Sequence, residues 1–414
     1  MWRIESARIV GALARYTGDF AMAEDLAQEA LAEALVSWPR DGVPRSPSGW
    51  LLTVGRRRAI DAFRRRSALD ERYAAMGADL DEGQASSGAE PHLREEDDVL
   101  YDPERIDDDV LALVFISCHP VLSREASVAL TLRVVGGLSS DEIARAFVTP
   151  TATVQARITR AKKTLAAARV PFEVPPPDER RERLSSVLTV IYLIFTEGSS
   201  ATTGGDWIRT GLAREAIRQA RVLARLMPEE PETQGLLALL ELTAARFPAR
   251  VRDDGMPVLL EDQDRRRWDR TAIRRGRAAL ATAGRIGRGL GAYGLQASIA
   301  ECHAVAPSVE DTDWERIVLL YDALQSLVPS PIVALNRAVA VSMASGPAAA
   351  LPLVDALVEA GDLANSHLLP GVRGELLTRL GRTDEARVEL ESAVRLCPSE
   401  RERDVLREKL AALG

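Results

Sequence analysis

The sequence predicts an all-α fold. Apolar residues recur at the 3.6-residue period of amphipathic helices along most of its length, and the period-two alternation of half-buried strands is absent. Ala, Leu and Arg, all strong helix formers, dominate the second half. With 414 residues and 46% hydrophobic content, the chain is long enough for several packed cores and too apolar for wholesale disorder.

Ile4, Ala7, Ile9, Val10, Leu13 and Ala14 form the apolar face of a first helix. Phe20, Ala23, Leu26, Ala27, Ala30, Leu31, Ala34 and Leu35 form that of a second, with Asp19 as its N-cap. Pro39, Gly42, Pro44 and Pro47 break the pattern, and a third helix runs from about Ser48 to Arg66. These elements make a first domain over residues 1–69. Residues 70–107 read as a linker, rich in Gly, Ser and acidic residues around Gly83 to Ala89 and Glu95 to Asp98. Helical periodicity returns over 108–172. Pro171-Phe172-Glu173-Val174-Pro175-Pro176-Pro177 then forms a stiff joint and a domain boundary. Residues 180–414 are helix after helix.

The net charge of −8 is unevenly spread. Residues 1–69 carry +3, residues 70–110 carry −12 and residues 111–172 carry +5, so two basic modules flank one acidic segment. The three cysteines, Cys118, Cys302 and Cys397, are odd in number and far apart, without CxxC or Cys/His metal spacing. They suggest a reducing cytoplasm, no disulfide framework, and neither a metal nor any other cofactor. Arg3, Glu5 and Arg8 interrupt any signal-peptide core at the N-terminus. The longest apolar run, Val187 to Phe195, is about half of the ~18 residues a membrane span needs, so no membrane partner is expected.

The sharpest motif lies at 138–165. Ser139 and Glu142 form a capping box that starts one helix, with Ile143, Ala144 and Phe147 on its apolar face. Thr149 caps the next, with Pro150 at its first position. Val154, Ile158, Ala161 and Leu165 bury that second helix, whose other face shows Thr153, Gln155, Arg157, Arg160 and Lys163. Charge alone fits a solvated basic face. The full pattern of cap, turn and buried positions fits a helix-turn-helix whose second helix enters the major groove.

This segment resembles region 4 of extracytoplasmic-function sigma factors, through Glu142-Ile143-Ala144 and Thr153-Val154, Arg157 and Arg160-Ala161-Lys162. Val148 replaces the usual turn glycine, and Gln155-Ala156 replace the usual Lys-Ser. The resemblance implies that Thr151, Thr153, Gln155, Arg157, Arg160, Lys162 and Lys163 bind the minus-35 promoter element. Residues 2–66 resemble region 2 of the same family. Gly18 to Ala30 is similar to the helix that grips the RNA polymerase clamp, which implies core-polymerase contacts from Asp25, Gln28 and Glu29. These three share one face by their spacing. Trp50 to Arg66 is similar to the segment that opens the minus-10 element, which implies roles for Trp50, Arg56, Arg57, Arg58, Arg64 and Arg65. Asp61 is the acid nearest to these arginines in sequence, so they are expected to be largely unpaired and to meet phosphates. By the same resemblance, the acidic linker threads the basic polymerase cleft as an RNA mimic.

In the C-terminal half, Gly374, Gly381, Ala386, Ala393 and Pro398 fall at tetratricopeptide-like spacings over 367–400, and Pro331 to Leu357 reads as a second helix pair. At that period the domain holds about seven units. Two polar islands, Tyr192 to Trp207 and Leu259 to Trp268, interrupt it. Their acids Glu197, Asp206, Glu261, Asp262 and Asp264 read as a regulatory interface; acid/base or metal chemistry is the alternative, but no nucleophile or metal-ligand His accompanies them. The whole chain resembles the sigma-factor subgroup with a C-terminal tetratricopeptide-like extension, often encoded beside small DGPF/YCII-type proteins. That implies a non-enzymatic initiation factor controlled by its own extension, with core RNA polymerase, promoter DNA and an unknown signalling protein as partners. A helix-turn-helix regulator with a repeat sensor, or an enzyme in residues 180–414, are the rival readings.

Overall fold

The computed structural model describes residues 2–77, 103–147, 149–199, 210–251 and 258–413. Eighteen α-helices and three 3-10 turns make up its regular structure, with no β-strand among the described residues. The all-α expectation holds. The chain divides into two compact units, 1–191 and 192–414.

The first unit begins with α1 (Trp2–Thr17), α2 (Phe20–Asp41) and α3 (Pro47–Gly77). Gly18, at φ +66°, breaks the chain between α1 and α2, and the Asp19 carboxylate accepts the Met22 N–H at 3.0 Å to start α2. Ala7, Ile9, Val10, Leu13 and Ala14 are buried on α1 as the periodicity predicts. Three details differ. Leu35 is 69% exposed, so the apolar face of α2 ends at Ala34. Pro39 lies inside α2 rather than ending it. A proline in the last turn leaves only the exposed Leu35 carbonyl without its helical donor, which water can replace. The helix stops instead at Gly42, φ +85°, whose N–H bonds the Trp38 carbonyl. Finally, α3 continues past Arg66 to Gly77, because no glycine or proline stands between them.

Helices α4 (Pro103–Ser117), α5 (Arg124–Val134), α6 (Ser140–Ala146) and α7 (Thr151–Ala167) follow. Helix α4 starts before the predicted position 108, with Pro103 as its first residue, where a missing N–H costs nothing. The two helices thus take both ends of the predicted linker, and its acidic centre, 78–102, lies outside the described residues. Helix α4 packs on α1, where Gly11 faces the Asp109 backbone so closely that a Cβ would stand 3.1 Å from the Asp109 oxygen. Helix α8 (Pro177–Ser199) starts at the last proline of the predicted joint and crosses the division between the units. The boundary therefore falls within α8 rather than at the prolines; Leu184, Val187 and Leu188, in its first half, are buried.

The second unit holds α9 (Thr210–Leu226), α10 (Pro231–Ala244), α11 (Arg270–Arg285), α12 (Ala292–Val305), α13 (Trp314–Leu327), α14 (Pro331–Ser345), α15 (Pro347–Glu359), α16 (Leu368–Arg379), α17 (Thr383–Leu396) and α18 (Glu400–Ala411). Neighbours in sequence pack as neighbours in space. One core gathers Ala238, Leu242, Trp268 and Leu280, another Leu335, Val354, Leu376 and Leu377. Small residues stand where helices approach: Gly276 against Leu242, Gly374 against Leu390, and buried Ala386 and Ala393. Pro331 to Leu357 is the predicted helix pair, α14 and α15. Ten helices lie among the described residues of this stretch, fewer than seven two-helix units require, and between α10 and α11 the described residues 247–251 and 258–269 form only short 3-10 turns and connecting chain. Buried Glu241 on α10 receives Arg221 from α9 and Arg275 from α11.

A Cβ at position 276 would stand 2.7 Å from Leu242 Cγ. Gly276→Ala should therefore destabilise the second unit by about 1–3 kcal/mol, read as a lower urea midpoint. An unchanged midpoint would show that α11 is free to move off α10.

Candidate nucleic-acid interface

The capping box forms as the sequence predicts. Ser139 Oγ accepts the Glu142 N–H at 3.2 Å, and Glu142 Oε2 accepts the Ser139 N–H at 2.8 Å. Ile143 and Ala144 are buried, while Phe147 closes α6 with its N–H on the Ile143 carbonyl. The turn into α7 closes through the Thr149 N–H on the Ala144 carbonyl. Val148, where a glycine is usual, lies outside the described residues. The start of α7 differs from the expectation: Pro150 is itself the N-cap residue, and the Thr149 hydroxyl donates back to the Phe147 carbonyl instead of capping. Pro150 fixes φ at −57° and so aims the chain into the helix without a side-chain cap.

Val154, Ile158, Ala161 and Leu165 are all buried, which turns the opposite face of α7 outward. Gln155, Arg160 and Lys163 are exposed there, and Thr151, Thr153 and Arg157 are half-buried at its edge. The Thr151 hydroxyl donates to Asp141 at 2.9 Å, which braces α7 against α6. Lys162 is different. Its side chain is only 13% exposed, and its ammonium lies 2.7 Å from both Glu24 and Asp25 of α2.

On α2, Asp25 and Glu29 are exposed and Gln28 is half-buried. On α3, Arg64 and Arg65 point to solvent, and Arg65 Nε donates to the Asp61 carbonyl. Arg56 lies over the Tyr16 ring at 4.9 Å. Trp50 packs edge-on against Trp38, ring centroids 5.5 Å apart, beside the 42–46 connection between α2 and α3. The expectation that these arginines go largely unpaired does not hold for two of them. Arg58 bonds Glu29 and Glu33, and Arg57 bonds Glu33. Sequence distance concealed these partners, since α2 packs against α3 and brings its acids alongside. Arg58, then Arg57, hold the Glu33 carboxyl below its ordinary range, and Glu33, then Glu29, raise the Arg58 guanidinium.

Glu24 is the joint between these two modules. It is buried on α2, with Lys162 of α7 on one carboxylate oxygen and Arg133 of α5 on the other at 2.9 Å. Burial alone would raise its pKa. The two cations overcome that penalty and hold it below the ordinary value. Lys162 shows the converse: burial opposes its charge, and Glu24 with Asp25 raises it. Sequence reading missed Glu24, because nothing in a lone acid on a helix signals two partners more than a hundred residues away.

The described acids of the second unit's polar islands lie at or near its surface. Asp206 lies outside the described residues, and Glu197 is half-buried near the end of α8. Glu261, Asp262 and Asp264 are all exposed. Asp264 caps the 3-10 turn Arg265–Arg267 and pairs with Arg266, which holds its carboxyl low. The buried side chains of this island are Gln263, Arg265 and Trp268. Arg265 donates to the carbonyls of His303 and Ala306 at 2.8 and 2.7 Å. With Arg246, Arg250 and His303 it lines a cavity of about 950 Å³. Burial, then the neighbouring arginines, push Arg246 down to about 10 and His303 down to about 4. The sequence signal was the density of Arg around 246–267, overshadowed by the adjacent acids.

Three known families match the chain. Sigma-70 region 2 matches residues 2–68, and Sigma-70, region 4 matches 113–165. A family of unknown function, DUF6596, matches 183–284. The chain is also similar to an uncharacterized protein of Rhizobium meliloti (strain 1021), 45% identical over 417 residues, covering 98% of this chain and 93% of that protein. No helix among the described residues is long and apolar enough to cross a membrane.

Glu24→Gln removes the charge that Lys162 and Arg133 share. It should cost about 3 kcal/mol in the first unit. The pH dependence has a defined sign. The folded Glu24 pKa lies below its ordinary 4.5, so its contribution is complete above that value and fades as pH falls through the folded pKa. Denaturation midpoints of the two proteins should differ at neutral pH and converge on acidification. Coincident curves at neutral pH would contradict the pairing.

Proposed function

The chain belongs to the sigma-70 family, as an extracytoplasmic-function type with a C-terminal helical extension, and from that premise we propose how its parts divide the work of starting transcription. Regions 2 and 4 make it a factor for promoter-specific transcription, with core RNA polymerase and promoter DNA as partners. In our reading, Asp25, Gln28 and Glu29 on α2 meet the polymerase. Trp50, Arg56, Arg57, Arg58, Arg64 and Arg65 on α3 engage the minus-10 element. On α7, Thr151, Thr153, Gln155 and Arg157 take base edges and nearby phosphates of the minus-35 element, while Arg160, Lys162 and Lys163 take phosphates. The observation that carries this is the outward face of α7, where Gln155, Arg160 and Lys163 stand exposed beside a fully buried apolar stripe.

The ion pairs at Glu24 add a requirement. Elements named minus-10 and minus-35 are roughly 25 base pairs apart, about 85 Å of B-form duplex at 3.4 Å per step. Helices joined by a 2.7 Å contact between Lys162 and Asp25 cannot reach both. Promoter engagement therefore separates α7 from α2. Asp25 exchanges Lys162 for the polymerase, and Lys162 exchanges carboxylates for phosphate. The free chain is a closed form in which each module occupies binding residues of the other.

The C-terminal domain regulates this exchange by answering a signalling protein. The exposure of Glu261, Asp262 and Asp264 supports a docking role over acid/base catalysis. Transcription by core polymerase with the full chain, compared with residues 1–191, would give the direction of that control; equal output from both would remove the regulatory role.

Arg157→Ala and Arg160→Ala should each lower promoter-specific transcripts by roughly tenfold, from about 1–3 kcal/mol per contact, while polymerase pull-down stays intact. Asp25→Lys should abolish pull-down. Loss of polymerase association in the α7 variants would assign that face to the enzyme rather than to DNA.

A further inference from the structure

Three unlike side chains converge at the C-terminal end of the second unit. His367 stands at the N-cap position of α16, Cys397 closes α17, and Glu402 lies in the first turn of α18. His367 Nε2 is 3.3 Å from Glu402 Oε2, and Cys397 Sγ is 3.9 Å from the same oxygen. All three donor atoms lie within 4.8 Å of one another. Cys397 is buried, and the other two are half-buried.

Zinc binds imidazole nitrogen at about 2.0 Å, carboxylate oxygen at about 2.1 Å and thiolate at about 2.3 Å. In a tetrahedron those bonds set the ligand atoms roughly 3.4–3.6 Å apart. Two edges of this triangle already measure 3.3 and 3.9 Å. A shift of a few tenths of an ångström on those edges would meet the ion. As a purely hydrogen-bonded trio the arrangement is poorer. The Cys397 thiol donates to the Ser399 carbonyl at 3.4 Å, and 3.9 Å to Glu402 is long for a thiol contact.

The surroundings hold the donors in place. Ser399 Oγ accepts the Glu402 N–H to start α18, and Arg403 donates to the Cys397 carbonyl at 2.7 Å. His367 and Glu402 also line the 950 Å³ cavity, next to the Lys409–Glu375 pair, so a fourth coordination position would open onto solvent or a small ligand. Nitrogen, sulfur and oxygen together select a borderline ion of the zinc class over calcium or magnesium, which take oxygen alone.

We propose that His367, Cys397 and Glu402 bind one zinc-class divalent ion that ties α18 to α16 and α17. Uptake converts the Cys397 thiol to a thiolate and releases its proton to solvent.

Cobalt(II) added to chelator-treated full-length protein tests this. One equivalent should produce a thiolate-to-cobalt charge-transfer band with the visible bands of four-coordinate cobalt, and zinc should erase both. Cys397→Ser should abolish the charge-transfer band, whereas Cys118→Ser and Cys302→Ser should keep it. His367→Gln and Glu402→Gln should weaken cobalt binding roughly 100-fold or more. These two variants carry the test if Cys397→Ser fails to fold by circular dichroism. Absence of the thiolate band in the native protein, its persistence in Cys397→Ser, or unchanged affinity in the other two variants would overturn the assignment.

Discussion

A carboxylate taken out of water is costly unless cations come with it, and Glu24 meets that condition only while three helices stay together. Lys162 of α7 and Arg133 of α5 each bring one charge to a residue of α2. Removing either helix would strand a buried acid, so the pairing acts over the whole interface rather than at one bond. Helices α1 and α4 reinforce it through the Arg15–Asp109 pair and the close approach at Gly11. The second unit uses the same device at Glu241, held by Arg221 and Arg275. Both sites favour one arrangement of helices over near alternatives, because a sliding apolar contact loses little and a stranded charge loses much.

The residues that close the first unit are also among those proposed to bind the polymerase and the DNA. Asp25 and Glu29 are exposed, and each holds a cation of its own chain, Lys162 and Arg58. In the proposed opening, each of these charges finds a replacement on the polymerase or the DNA. The strongest pull toward the closed form is Glu24, which is buried and has no such replacement.

Much of this was legible in the sequence. The capping box Ser139–Glu142, the Asp19 cap and the buried stripe Val154–Leu165 depend on local spacing, and local spacing is what a sequence displays. Helix ends were harder. Pro39 sits inside α2 and α3 runs to Gly77, because exposure and the lack of a breaker outweighed the proline signals. Partnerships across the chain were not legible. Arg58 reads as unpaired until α2 lies beside α3, and Glu24 reads as ordinary until α7 arrives. His367 and Cys397 likewise show no metal spacing, since folding of α16 and α17 is what brings them together. The acids of the second island drew attention by composition, whereas the buried groups there are Arg265, Gln263 and Trp268.

Energy transfer between dyes at Ala32 of α2 and Ala156 of α7 tests the central claim most directly, since both positions are exposed and lie on the helices joined through Glu24. Transfer should be high in the free protein and should collapse when core polymerase and promoter DNA are added together, as the helices move apart toward about 85 Å. High transfer that persists in a complex actively making RNA would contradict the account.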